Sequence, residues 1–198
     1  MNVLAHLTLA GPDPALRAGG FLGDFVKGPV AAPWNGDLAA GIKLHRYIDA
    51  RSNENPDLRA SANALEGFPR RFAPPFIDLL ADFFLAREFP AWHGEALATF
   101  STTALHDLGR YRAQFPESAR RFLDRIDEIR LLEAYAEETT MTRVAGRLLE
   151  RLGLSMDLRD AFRSALGDPQ GTHRETFERY YPTLMTQAER WRTERHYA

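Results

Sequence analysis

The chain has 198 residues, 44% hydrophobic and 26% charged, with a formal net charge of −2, the balance expected of a globular protein with one sizeable core. It contains no Cys, which excludes disulfides and thiolate ligands and leaves His, carboxylates and water for any metal. The charge argues against non-specific nucleic-acid binding. No apolar run is long enough to span a bilayer, and the first residues lack signal-peptide features, so the expected location is cytoplasmic.

Val3-Leu4-Ala5-His6-Leu7 is a short apolar segment broken by one imidazole. Asp13-Pro14 supplies an N-cap with a first-turn proline, and Gly28-Pro29 is expected to close that helix. A loop with two prolines and Trp34 follows, from Pro29 to Gly36. The next helix is predicted from about Asp37 to Arg51, ending at a turn over Ser52-Asn53-Glu54-Asn55. Asn55-Pro56 repeats the cap-plus-proline signal for a short helix to about Leu65, and Pro74-Pro75 opens the helix carrying Asp78 and Asp82.

The second half is more regularly amphipathic. Leu97, Phe100, Ala104, Leu108 and Tyr111 recur at helical steps, as do Met141, Ala145, Leu148 and Leu152. Leu158 to Leu166 marks another helix. Thr172 with Glu175 reads as a capping box before a last helix in which Pro182 should produce a kink or a break. No alternating strand pattern of useful length occurs. The expected fold is all-α, a single-domain helical bundle over residues 1–198. Arg70-Arg71, Arg110 with Arg112, and Arg120-Arg121 read as solvated helix faces.

Several residues could carry chemistry. His45 and Asp49 are four apart on a predicted helix, so both project from one face. They form either a core histidine bonded to its i+4 carboxylate or part of a metal site. Asp78 and Asp82 share that spacing on an apolar helix, where two carboxylates repel and resist desolvation unless a cation is shared; the alternative is a solvent-facing acidic stripe. Asp24 falls near a predicted helix C-terminus, which disfavours an acid and suggests a specific partner. His6 alone would be read as a satisfied core residue. His106-Asp107 is a literal His-Asp dipeptide whose neighbours diverge by about 100° on a helix, and it reads as incidental. His93, His173 and His196 lack partner patterns and read as surface residues.

Taken in order, Asn2-Val3-Leu4-Ala5-His6-Leu7, Gly23-Asp24-Phe25-Val26-Lys27-Gly28, His45-Arg46-Tyr47-Ile48-Asp49 and Asp82-Phe83-Phe84-Leu85 resemble the acyl carrier protein phosphodiesterases. These are divergent HD-type phosphohydrolases. The resemblance covers essentially the whole chain, is concentrated in its first ninety or so residues, and continues in a looser Phe177, Tyr181-Pro182, Met185 pattern. It implies an HD-phosphohydrolase-like fold and a divalent metal cofactor, usually Mn2+. It also implies release of 4′-phosphopantetheine from the serine of holo-acyl carrier protein, the protein partner, with neither membrane nor nucleic acid involved. By position, Asp24, His45, Asp49 and Asp82 would bind the metal. His6, Asp24 and His45 would be catalytic, with His6 a ligand or proton donor, and Lys43 and Arg46 would meet the phosphodiester or acidic carrier helices. Two positions depart from the pattern: Phe83 stands where the family has His, and Gly20 where it usually has Asn. Phe83 therefore keeps open a degenerate member that binds the carrier without hydrolysing it. A related phosphohydrolase acting on a nucleotide or other small phosphoester is the third reading.

Overall fold

The computed structural model describes residues 2–168 and 170–194, and every regular element among them is helical. The sequence-predicted surface residue His196 lies outside the described residues. Helix α1 (Val3–Leu9) is buried at all its positions, as expected for a helix that is apolar on every side. It packs between α2 (Pro14–Leu22), α5 (Ala73–Arg87) and α12 (Thr172–Glu194). Asp13 caps α2 as the sequence indicates, accepting from Ala15 and Leu16 N–H at 2.8 and 3.0 Å.

Helix α3 (Gly36–Glu54) lies against α2 through two glycines. A Cβ on Gly19 would stand 2.2 Å from the Leu38 carbonyl oxygen, and one on Gly41 would stand 2.3 Å from that of Leu16. Any side chain at either position would push the two backbones apart. This close approach fixes the height of α3 relative to the end of α2, which is where the candidate site forms.

Asn55 caps α4 (Pro56–Ala64), accepting from Asp57 N–H at 2.9 Å. Beyond α5 come α6 (Phe89–His93), α7 (Leu97–Tyr111), α8 (Glu117–Glu128), α9 (Leu131–Ala134), α10 (Glu138–Leu152) and α11 (Leu158–Gly167). Their buried positions join those of the first half in one connected core. No helix among the described residues is long and apolar enough to cross a membrane.

The structure revises three local expectations and, of the kink or break expected at Pro182, excludes the break. The helix from Pro14 stops at Leu22, well before Gly28. Helix α3 continues through Ser52, whose burial favours the helical turn over the polar loop that its sequence suggests. Thr172 does not cap α12; the Asp168 carboxylate accepts from His173 and Arg174 N–H at 3.2 and 2.8 Å instead. Pro182 sits inside α12 without ending it, because Tyr181 and Leu184 on either side are held in the core. The arginine clusters behave as surface charge where they pair: Arg112 meets Asp124 at 2.7 Å and Arg121 meets Glu117 at 3.2 Å, all exposed.

Candidate metal centre

Three helices bring four chemistry-bearing side chains together. α1 supplies His6, α3 supplies His45 and Asp49, and Asp24 follows the end of α2. His6 Nε2 lies 3.1 Å from Asp49 Oδ1, and His45 Nε2 lies 3.3 Å from Asp49 Oδ2 and 3.7 Å from Asp24 Oδ1. The two imidazoles stack with centroids 3.7 Å apart. His6, His45 and Asp49 each offer a ligand atom within 4.8 Å of the others. Gly23 makes this possible: a Cβ there would stand 2.1 Å from His45 Cγ. The glycine immediately before Asp24 is thus the floor under the His45 ring.

The protons define what the group can do. His45 Nδ1 is 2.8 Å from the Gly20 carbonyl oxygen, which can only accept, so Nδ1 carries a proton. In the neutral ring, Nε2 then points a lone pair at two carboxylates. For Nε2 also to donate to Asp49, the ring must be an imidazolium, buried and stacked on a second imidazole. A cation between Nε2 and the carboxylates removes this conflict without charging the ring. The Gly20 contact is the usual outer hydrogen bond that orients a metal-binding histidine. Because the backbone makes it, the missing Asn side chain at position 20 leaves it intact.

Burial and the neighbouring His45 push the His6 pKa down to about 3, so His6 is neutral near pH 7. Its Nδ1 is buried without a hydrogen-bond partner, and the stacking on His45 holds the ring. Burial opposes ionisation of Asp49, but the imidazoles of His45 and His6 beside it outweigh burial and hold the carboxyl well below its usual range. Two imidazole nitrogens and one to two carboxylates form a borderline donor set, suited to first-row divalent ions. The residues present therefore fit a metal.

The remaining sequence candidates lie elsewhere. Asp82 is fully buried, and its two oxygens accept from Leu4 and Ala5 N–H at 2.9 and 3.0 Å. It caps the N-terminus of α1 from another helix, and it stands outside the His6–His45–Asp49 group that it was expected to join. Burial raises its pKa to about 7 against the lowering effect of those two bonds. Lys43 is exposed; two residues before His45, it lies about 200° around the helix, facing away from the group. Arg46 donates to the Val26 carbonyl at 2.9 Å, tying down the segment that carries Asp24.

Phe83 is buried and lines a different cavity with Arg87, Leu166 and Arg174, contrary to the expectation from its neighbour Asp82 that it would sit beside the site. His106 is exposed, and Asp107 pairs with Arg17, so this dipeptide is incidental as expected. His93 and His173 are not surface residues: burial lowers both pKa values, and they bond to Tyr181 and Ser61 at 3.0 and 2.8 Å. Asp78, unassigned by the resemblance, is half-buried near the site. Burial and the Asp49 and Asp24 charges raise its pKa.

Asp49 and Asp24 open onto a cavity of about 280 Å³ that also reaches Ser52 and Asp78. Asp24 and Asp78 line a second, larger cavity of about 500 Å³ as well, so the two adjoin.

A family model described as acyl carrier protein phosphodiesterase matches residues 1–184, from α1 into α12. The chain belongs to the acyl carrier protein phosphodiesterase family. The acyl carrier protein phosphodiesterase of Salmonella heidelberg is 31% identical over 96% of this chain and 98% of its own length. That of Salmonella typhimurium matches to the same extent, and that of Salmonella dublin is 29% identical over the same shares. No solved structure matches significantly. All four residues of the candidate centre lie inside the family match.

Proposed function

We propose that this protein is a metal-dependent phosphodiesterase that releases 4′-phosphopantetheine from the serine of holo-acyl carrier protein in the cytoplasm, leaving the apo form. The observation that carries this reading is the His6–His45–Asp49 group, with Asp24 at its open side, in a chain of this family. His6 and His45 would hold a divalent cation, with manganese the ion of choice, through their Nε2 atoms, together with Asp49. Such an ion supplies positive charge to phosphoryl oxygens and acidifies a water.

The chain's own groups do the rest. Asp24 has a side chain 55% exposed, next to His45 and on the rim of both cavities. It faces the entering phosphodiester and can take the proton of the attacking water. The water oxygen bonds to phosphorus, the bond from phosphorus to the serine oxygen breaks, and the serine oxygen leaves as the alcohol with the proton that Asp24 took from the water. Gly20 holds the His45 ring in one tautomer, and Arg46 fixes the Asp24 segment. Phe83 gives the degenerate reading no support, because it lines a different cavity.

The test is the mass of a holo-carrier after incubation with the purified protein, with and without added manganese and with chelator. The expected result is a shift from holo to apo that chelator suppresses and manganese restores. An intact holo-carrier beside fully metal-loaded protein would overturn the reading.

A further inference from the structure

The larger cavity has one charged wall. Arg143, Arg147 and Arg151 follow one another at four-residue steps along α10, all exposed and all lining it. Four residues advance a helix by about 400°, so the three guanidinium groups form one ridge, about 12 Å long over eight residues. Like charges at this spacing repel, and among the described residues none of the three has a carboxylate partner. Neighbouring arginines do: Arg125 pairs with Glu128 at 3.0 Å, and Arg130 is paired with Glu133. Glu138, at the start of α10, is taken by Arg87. In a chain of net charge −2, an unneutralised basic ridge is a local feature that an external anion would complete. The same cavity is also lined by apolar side chains, Leu79, Leu131, Val144 and Leu148 among them. Its lining includes Asp24 and Asp78, which it shares with the cavity of the candidate metal centre.

We propose that the Arg143–Arg147–Arg151 ridge is the docking surface for an acidic helix of the carrier protein, placed so that the attached phosphodiester reaches Asp24 through the cavity between. This rests on the function proposed above and assigns the docking role to α10, in place of Lys43 and Arg46. The match is one of repeat and geometry. Carboxylates four apart on a partner helix recur at the same spacing as the arginines, and each guanidinium fork can take a carboxylate by two parallel hydrogen bonds. The apolar side chains in the same lining, Leu131, Val144 and Leu148, suit a helix face better than a solvated phosphate backbone.

Two readouts test it, with the Arg143→Glu/Arg147→Glu/Arg151→Glu variant beside the Lys triple variant and wild type. In steady-state release of phosphopantetheine, the Glu variant should raise KM for the holo-carrier about tenfold or more with a much smaller change in kcat, since rim charges act on encounter. Raising salt to about 0.5 M should raise the wild-type KM and lower that of the Glu variant, whose repulsion of an acidic helix it screens. The Lys variant should keep most of the wild-type affinity. Fluorescence anisotropy with labelled carrier gives the second readout, independent of turnover. Its Kd should weaken about tenfold in the Glu variant, while the far-UV circular dichroism and melting midpoint stay near those of wild type. An unchanged Kd and KM would overturn the ridge. So would competition by single-stranded DNA at concentrations where the carrier does not bind. A wild type that binds carrier in this manner and releases nothing would overturn the proposed reaction while sustaining the docking surface.

Discussion

Two polar clusters adjoin α2, one buried and one opening to a cavity, and they are built differently. In the first, Arg17 donates to Asp107 at 2.5 Å and to the Gly11 carbonyl at 2.9 Å, and its guanidinium lies 5.1 Å from the centre of the Phe100 ring. Charge meets charge, and only Arg17 Nε lacks a partner. In the second, two imidazoles and two carboxylates meet with no Arg or Lys side chain among the described residues within the group. A polar cluster that ties helices together satisfies itself. One that can take a ligand opens to a cavity, as Asp24 and Asp49 do.

The sharpest way to break this comparison is to truncate one member of each cluster. Asp107→Ala should destabilise the protein by about 3–5 kcal/mol, because it leaves the Arg17 charge buried and unpaired; the surviving folded fraction should retain metal and turnover. Urea denaturation with activity normalised to folded protein measures both. His45→Ala should do the reverse, losing metal and about 10²–10³ in turnover with a modest change in stability. Comparable effects of the two substitutions on turnover per folded molecule would erase the distinction.

Phe83→His tests whether the departure from the family pattern weakens the centre. Its ring packs with Phe84 and lies under Arg87, away from the His6 group. An imidazole there should lower stability by about 1–3 kcal/mol and leave manganese affinity unchanged. A gain in metal binding, read by titration calorimetry, would mean that position 83 does reach the centre.

The smallest effect expected is in pH. His6 stays neutral in the fold down to about pH 3 but takes a proton near 6.5 when unfolded. Its depressed pKa therefore contributes stability that is full above pH 6.5 and is lost as pH falls toward 3. The limiting slope is about 1.4 kcal/mol per pH unit. Asp82 works in the opposite sense: its carboxyl, raised to about 7, contributes stability that is lost as pH rises through that value. The difference between metal-free wild type and His6→Gln isolates the histidine, because Asp82 is present in both. Denaturation midpoints at pH 7 and pH 5 should diverge between the two proteins, and parallel pH profiles would sink the assignment.

How much of this was readable in the sequence depended on distance along the chain. The pair His45 and Asp49 was legible because four residues on one helix must share a face. The all-α class followed from three- and four-residue periodicity, though α6 and α9, of five and four residues, are too short to carry it. His6 and Asp24 could be joined to the pair only through the family resemblance, since nothing local links them. Asp82 was misread for the same reason. An acid on an apolar helix looks alike whether it will hold a cation or cap another helix, and its partners are 77 and 78 positions away. The Arg17–Asp107 pair, 90 positions apart, has no local signature. Lys43 is different, because helical arithmetic alone turns it away from His45. The arginines of α10 stood in plain sight, but only the cavity beneath them gave their spacing a meaning.

The cap on α1 has a consequence for how the protein comes together. Seven residues are too few to hold a helix in water by themselves, and the carboxylate that steadies the first turn arrives from α5. The support that steadies the turn carrying His6 is therefore absent from any chain that ends before residue 82. A fragment ending after α3 would contain His6, Asp24, His45 and Asp49, yet it would lack the support that sets His6 against His45. The first helix of the chain is thus steadied by the fifth, and the candidate centre depends on a contact that spans 77 positions.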